Sequence, residues 1–132
     1  MADPLFRLVC TPGILDGMPA GWASAMLQEG ELALLVDAGG LDAISAVAHS
    51  LDLVTVPLLR TEDSAGEQEA TVMRYAGSMA LVWVASAFGE AAETWAHVRG
   101  PMTLLVQTGD LLSEDERRRV ERFVVILGRQ AE

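Results

Sequence analysis

The chain has 132 residues, about half of them hydrophobic, and a net charge of −10 at pH 7. This size and this apolar content are typical of a single domain with its own core, and we predict one domain over residues 1–132. All nine basic residues are arginines, which excludes a lysine Schiff base and the lysine of a P-loop nucleotide site.

The first half of the chain alternates apolar runs with helix-like runs. Short apolar segments predict strands over residues 5–10, 32–36 and 53–59. Amphipathic spacing predicts helices over residues 21–30 and 41–51. The second of these helices is expected to turn four apolar residues inward, Leu41, Ile44, Ala48 and Leu51. Pro57 donates no ladder hydrogen bond, so its strand is expected at an edge or to be interrupted there.

The second half of the chain repeats this alternation. Apolar runs predict strands over residues 79–86 and 102–107, the first of them apolar on both faces. Helices are predicted over residues 70–76, 89–98 and from 114 onward. The helix at 89–98 is expected to bury Phe88, Ala91 or Ala92, Trp95 and Val98.

The last helix carries the clearest local signal in the chain. Ser113 stands three residues before Glu116, which is the pattern of a capping box. Two i,i+4 acid–arginine pairs follow in the favoured order, Glu114–Arg118 and Asp115–Arg119. The spacing predicts an inward stripe of four apolar residues, Val120, Phe123, Val124 and Leu127.

Together these elements predict an α/β fold, a three-layer α/β/α sandwich with about five mostly parallel strands and of flavodoxin-like size. Strands that are apolar on both faces need helices on both sides of a parallel sheet. The sequence does not determine the strand order, and size alone suggests 2-1-3-4-5. The alternative is an α+β fold with a mixed sheet, which Pro57 and the weak helix at 70–76 keep open.

Charge and cysteine content exclude several kinds of partner and cofactor. Residues 1–113 hold fourteen acidic residues and four arginines, a field that repels nucleic acid and anionic membrane surfaces. The longest uncharged run has 15 residues, too short to span a bilayer, and no signal peptide is recognisable, so a cytoplasmic protein is expected. Cys10 is the single cysteine and the two histidines lie on separate helices, so we expect no metal site and no cofactor.

In a parallel sheet, ligands collect outside the carboxyl ends of the strands, and the loops there supply the candidate site. The first two loops contribute Thr11, Gly13, Asp37, Gly39 and Gly40. The two glycines either approach a ligand, where Asp37 would suit a sugar hydroxyl, or only make the turn into a helix capped by an aspartate.

Two later loops add further candidates for the same site. Arg60 is one of four arginines outside the last helix and is a candidate to neutralise an anion, while Ser86 follows the fourth predicted strand. Glu90 is the best placed carboxylate for acid–base catalysis, although stabilisation of a helix N-terminus explains it equally well.

Two functions follow from these observations. The first is a non-catalytic protein-interaction or regulatory domain, which binds a partner protein or self-associates, because no convergent catalytic set is visible. The alternative is a binding protein or enzyme for a small ribose- or sugar-containing metabolite, held at the loops that follow the strands.

Overall fold

The computed structural model describes residues 4–109 and 111–131, and for Ala131 only the backbone. The described chain forms an α/β fold with four strands and six α-helices. The strands are β1 (Phe6–Cys10), β2 (Gly30–Leu34), β3 (Ala80–Ala85) and β4 (Thr103–Gln107). The helices are α1 (Pro12–Asp16), α2 (Trp22–Met26), α3 (Gly40–Ser50), α4 (Ala65–Ala76), α5 (Glu90–Arg99) and α6 (Glu114–Ala131). A 3₁₀ turn over Gly100–Met102 leads into β4.

The four strands form one sheet in the order β2-β1-β3-β4, and all three pairings are parallel. In the register, Phe6 of β1 lies between Gly30 of β2 and Ala80 of β3. The predicted α/β class is therefore confirmed, and the mixed-sheet alternative is wrong for the described residues. Each parallel pair needs a long crossover, and the helices supply it.

The prediction of a strand over residues 53–59 is wrong, and the sheet has four strands where about five were expected. This segment makes a single parallel bridge, Leu34 with Leu58, in which the Leu34 N–H donates to the Pro57 carbonyl at 3.0 Å. Val54 is fully exposed, so the segment lacks the burial that a strand interior needs. It lies outside β2, so the size-based strand order, which places it beside β1, is also wrong.

Alternate residues of the strands pack into two separate hydrophobic clusters. One cluster joins residues such as Leu8, Leu34 and Val82 to the helices α1, α2, α3 and α6. The other joins Val9 and Trp83 to α4 and α5. Because successive side chains of a strand point to opposite faces, helices cover both faces of the sheet, which supports the three-layer arrangement.

The helices differ from their predicted bounds where side chains contribute caps or where loops fold. A short helix, α1, lies in the loop that was predicted between the strand at 5–10 and the helix at 21–30. The helix predicted at 70–76 begins earlier, at Ala65, because the Ser64 hydroxyl accepts a hydrogen bond from the Glu67 N–H at 3.1 Å. Leu41 and Val98 were expected inward but are 70% and 80% exposed, and Ile44 and Ala92 are buried on their helices.

The capping box of α6 is confirmed. The Ser113 N–H donates to Glu116 Oε1 at 2.7 Å, and the Glu116 N–H donates to the Ser113 hydroxyl at 3.1 Å. The predicted inward stripe is also present, with Val120 and Leu127 buried and its other two members packed against the same core. Of the two predicted ion pairs, Glu114–Arg118 forms at 2.7 Å.

Candidate functional site

The loops after β1 and β2 meet at the carboxyl end of the sheet, and Asp37 joins them. Asp37 Oδ2 accepts a hydrogen bond from the Gly13 N–H at 3.2 Å, and Oδ1 accepts one from the Gly39 N–H at 2.9 Å. Thr11 precedes α1, and its side chain makes no capping bond. The structure therefore brings Gly13, Asp37 and Gly39 together. The carboxylate of Asp37 accepts the hydrogen bonds of the two amide donors that an anionic ligand would need.

The glycine pair makes the turn into α3. Gly40 has a φ of +63°, in the region that favours glycine. A Cβ added at Gly39 would lie 2.7 Å from the Ala43 Cβ and 3.2 Å from Asp37 Oδ1. Both positions thus have a structural reason to be glycine, which favours the turn over a ligand contact.

The loop after β3 is closed by a carboxylate in the same manner. The Gly89 N–H, at the start of α5, donates to Glu69 Oε2 of α4 at 2.7 Å. Ser86 and Glu90 flank this bond and are both exposed. After β4, Glu116 Oε1 accepts a hydrogen bond from the Ser113 N–H at 2.7 Å, so a carboxylate of the protein accepts a backbone hydrogen bond in each of these three regions.

Arg60 lies apart from the other predicted site residues. It follows the segment 53–59 and therefore lies beyond β2, at the opposite side of β2 from β1 and β3. Its Nε lies 3.0 Å from Glu62 Oε1, and its side chain is 84% exposed. The structure therefore does not place Arg60 between β1 and β3, and Glu62 already offsets its charge.

Two ionisable groups near this end of the sheet, Cys10 and Glu116, have shifted pKa values. Burial raises the pKa of Cys10, at the end of β1, to about 12, so its thiol is protonated and a poor nucleophile at neutral pH. The pKa of Glu116 is lowered, first by the hydrogen bond from the Ser113 N–H. In residues 4–109 and 111–131 no group of three or more metal-ligating side chains comes together.

A large groove lies at the opposite, amino-terminal end of the sheet, where the sequence predicted no site. Its volume is about 840 Å³, and a cavity of about 160 Å³ adjoins it at Gly30, Leu32 and Leu53. Three walls surround it: the start of β2, the segment 53–57 and the last turns of α6. The lining residues are Pro4, Leu5, Gln28, Glu29, Gly30, Glu31, Leu32, Leu53, Thr55, Pro57, Val125, Gly128 and Arg129.

The β2 wall of this groove presents the outer edge of the strand. The Leu34 N–H and carbonyl both bond outward, to Pro57 and Leu59. Alternate residues of a strand bond to the same side, so the N–H and carbonyl groups of Leu32 and the carbonyl of Gly30 also point outward, while the Gly30 N–H donates to the Leu27 carbonyl at 3.3 Å. The outer segment pairs with β2 only at Leu34, so the edge is uncovered beside Gly30 and Leu32.

The other two walls add exposed apolar side chains. Leu53 is 39% exposed and Val125 is 52% exposed. A signal for this surface is present in the sequence, because Val125 and Ile126 are apolar residues outside the inward stripe of α6. That signal does not say which elements meet there, since the groove joins three segments far apart in the chain.

No helix in the part of the chain that the structure describes is long and apolar enough to cross a membrane. In the comparisons with known proteins, no family model, no curated protein and no solved structure matches this chain.

Proposed function

We propose that the chain is a non-catalytic protein-interaction domain, one three-layer α/β/α unit over residues 1–132, whose contact surface is the groove at the amino-terminal end of the sheet. The observation that carries the proposal is the groove itself, in which exposed apolar side chains adjoin an uncovered strand edge. Exposed apolar surface is costly to leave in water, an open strand edge is a template on which another chain can pair, and a protein partner covers both.

The carboxyl-terminal end of the sheet supports the same proposal by its contacts. Amide donors at Gly13, Gly39 and Gly89 already bond to carboxylates of the protein. An anionic substrate there would have to displace a carboxylate that lies on the donor and repels the incoming charge. The protonated thiol of Cys10 offers no nucleophile.

The test compares substitutions inside and outside the groove. Leu53→Asp and Val125→Asp place a charge on its apolar walls, and both residues are already part exposed, so the fold should tolerate them. Leu41→Asp and Val98→Asp are matched controls on exposed apolar residues outside it. We expect a partner identified by chemical crosslinking of the wild type to be lost from both groove variants and kept by both controls.

Two results would contradict this proposal. One is a crosslinked partner that both groove variants retain at wild-type yield, with unfolding curves that show all four variants folded. The other is loss of the partner in the control variants alone. Light scattering over a range of concentrations decides whether the partner is a second copy of the chain.

The alternative, a site for a small ribose- or sugar-containing metabolite, has one observation in its favour. Neighbouring strands β1 and β3 are followed by α1 and α5, which pack on opposite faces of the sheet. This is the topological switch point at which ligands bind in open α/β sheets, and Thr11, Gly13 and Ser86 lie beside it. A thermal-shift series with nucleotides and sugars tests it, since a ligand at 100 times its Kd stabilises by about 2.7 kcal/mol.

A further inference from the structure

We infer that the occupant of the groove is an extended, positively charged segment of another protein, which adds to the outer edge of β2 as a further strand. This inference rests on the proposed function and names the partner's chemistry at the same surface. Three observations carry it: the direction of the backbone groups along β2, the shape of the groove beside them, and the charge of the walls.

The backbone of β2 offers hydrogen bonds of the right spacing for an added strand. The outward groups of Leu34 are occupied by Pro57 and Leu59 at 3.0 Å each. Both backbone groups of Leu32 and the carbonyl of Gly30 face the groove, whereas the Gly30 N–H is already bonded to the Leu27 carbonyl. A strand placed there would extend the parallel pairing, which the outer segment makes only at Leu34, towards the amino end of β2.

In chain order, the segment 53–57 runs towards β2 and bonds to it only at Pro57. Leu53, four residues before Pro57, lines the far side of the groove. The uncovered part of β2 runs over three residues, which is about 10 Å of strand. Such a length pairs with a short extended peptide, and the volume beyond it holds the side chains of that peptide.

The charges on the groove and on the whole chain favour a basic segment. The described lining of the groove carries two glutamates and one arginine, Glu29, Glu31 and Arg129, and the chain as a whole has a net charge of −10. Glu31 is occupied, because Arg7 Nε lies 3.5 Å from Oε2 and the Tyr75 hydroxyl donates to Oε1 at 3.4 Å. Glu29 makes no ion pair within 4 Å in the described chain and is exposed.

The net charge also argues against a second copy of the chain as the occupant. Each copy carries a net charge of −10, so two copies repel one another before contact. Arg129, on the α6 wall, is the one basic residue in the lining. A basic residue of the added segment therefore belongs beside Glu29.

The test selects binders from a random peptide library displayed on phage, with the full chain as bait and Leu53→Asp as the counter-selection. We expect enriched peptides that are rich in β-branched residues, poor in proline and net positive. The best peptide is then synthesised with N-methyl groups on alternate residues, in two sets that cover opposite edges. N-methylation of the edge that faces β2 should weaken binding roughly tenfold or more, and the other set should have little effect.

Amide hydrogen exchange measured by NMR gives the structural readout. The Leu32 N–H should exchange more slowly when the peptide is bound, while the Ala33 N–H, which points towards β1, should change little. Equal effects of the two N-methylated sets, or enrichment of acidic or helical peptides, would overturn the inference. Its failure is separable from that of the proposed function: the crosslinked partner would then still depend on Leu53 and Val125, and would bind without protecting Leu32.

Discussion

Replacement of Gly30 by alanine tests the packing at the start of β2, where the sheet meets the groove. A Cβ built at this position lies 2.4, 2.6 and 2.8 Å from three atoms of the Phe6 ring. Carbon atoms in contact prefer separations of about 3.5–4.0 Å. Phe6 is completely buried, so its ring has no solvent to move into, and the ring or the β2 backbone must shift by about 1 Å.

The expected net cost combines two opposing effects. Overpacking of this kind in a core destabilises by about 1–3 kcal/mol. Alanine also restricts the unfolded chain, which offsets about 0.4–1 kcal/mol of that cost. We therefore expect Gly30→Ala to lower the free energy of unfolding by about 1–2 kcal/mol and the Tm by roughly 3–10 °C for a chain of this length.

Urea unfolding of four proteins isolates the contact: wild type, Gly30→Ala, Phe6→Leu and the double variant. The smaller leucine gives the new methyl group room, so the double variant should lose less stability than the sum of the two single variants. Gly66→Ala is the matched control, because a Cβ there meets no atom within 4 Å and alanine favours the helix by up to about 1 kcal/mol. Additive losses in the cycle, or a Gly30→Ala protein as stable as Gly66→Ala, would refute the reasoning.

Three further predictions concern the carboxyl-terminal end of the sheet. The pKa of Glu116 is lowered in the folded protein, so its carboxylate stabilises the fold above the ordinary carboxyl pKa, and this stabilisation is lost as the pH falls below 4.5. In urea titrations, the stability of Glu116→Gln should therefore fall less than that of the wild type between neutral and acid pH. Parallel pH curves for the two proteins would contradict this. Asp37→Asn should lower stability by about 1–2 kcal/mol, since an amide accepts through only one atom; an unchanged urea midpoint would exclude the bridge to Gly13. Cys10 should react with Ellman's reagent only after denaturation, because it is fully buried and its pKa is about 12, and rapid labelling of the native protein would contradict that burial.

Elements whose burial is complete were predicted closely from the sequence. The strand expected at 79–86 corresponds to β3, in which five successive residues from Ala80 to Val84 are buried. Its apolar run has no alternation because helices cover both faces. The N-terminus of α6 was equally clear, since a capping box needs only Ser113 and Glu116 and no distant partner.

Elements that depend on a distant partner were not predictable in the same way. The segment 53–59 has the residue types of a strand, and only the missing neighbour and the exposure of Val54 distinguish it from one. The carboxylate contacts have the same origin. Asp37 and Gly13 are 24 residues apart, and Glu69 and Gly89 are 20 apart, so their pairing follows from the folded arrangement and from no local pattern.

The groove arises because the helix α6 is longer than the strands of the sheet, a difference that is already present in the sequence. The helix α6 has 18 residues, which is about 27 Å at 1.5 Å per residue. The five residues of β1 or β2 span about 17 Å. A helix that starts near the carboxyl end of β4 and runs back along this sheet therefore extends beyond the amino ends of the strands. Its last turns, with Val125 and Arg129, then face the start of β2 across open space.

This geometry also explains why the groove lies opposite the end of the sheet where ligands of α/β folds collect. At the carboxyl end, helices begin, and their amide donors attract the protein's own carboxylates, Asp37, Glu69 and Glu116. At the amino end, the last turns of α6 extend beyond the sheet, and the outer segment pairs with β2 only at the bridge between Leu34 and Leu58. The exposed apolar walls and the open strand edge are thus concentrated at one place, and the added strand that we propose would cover both.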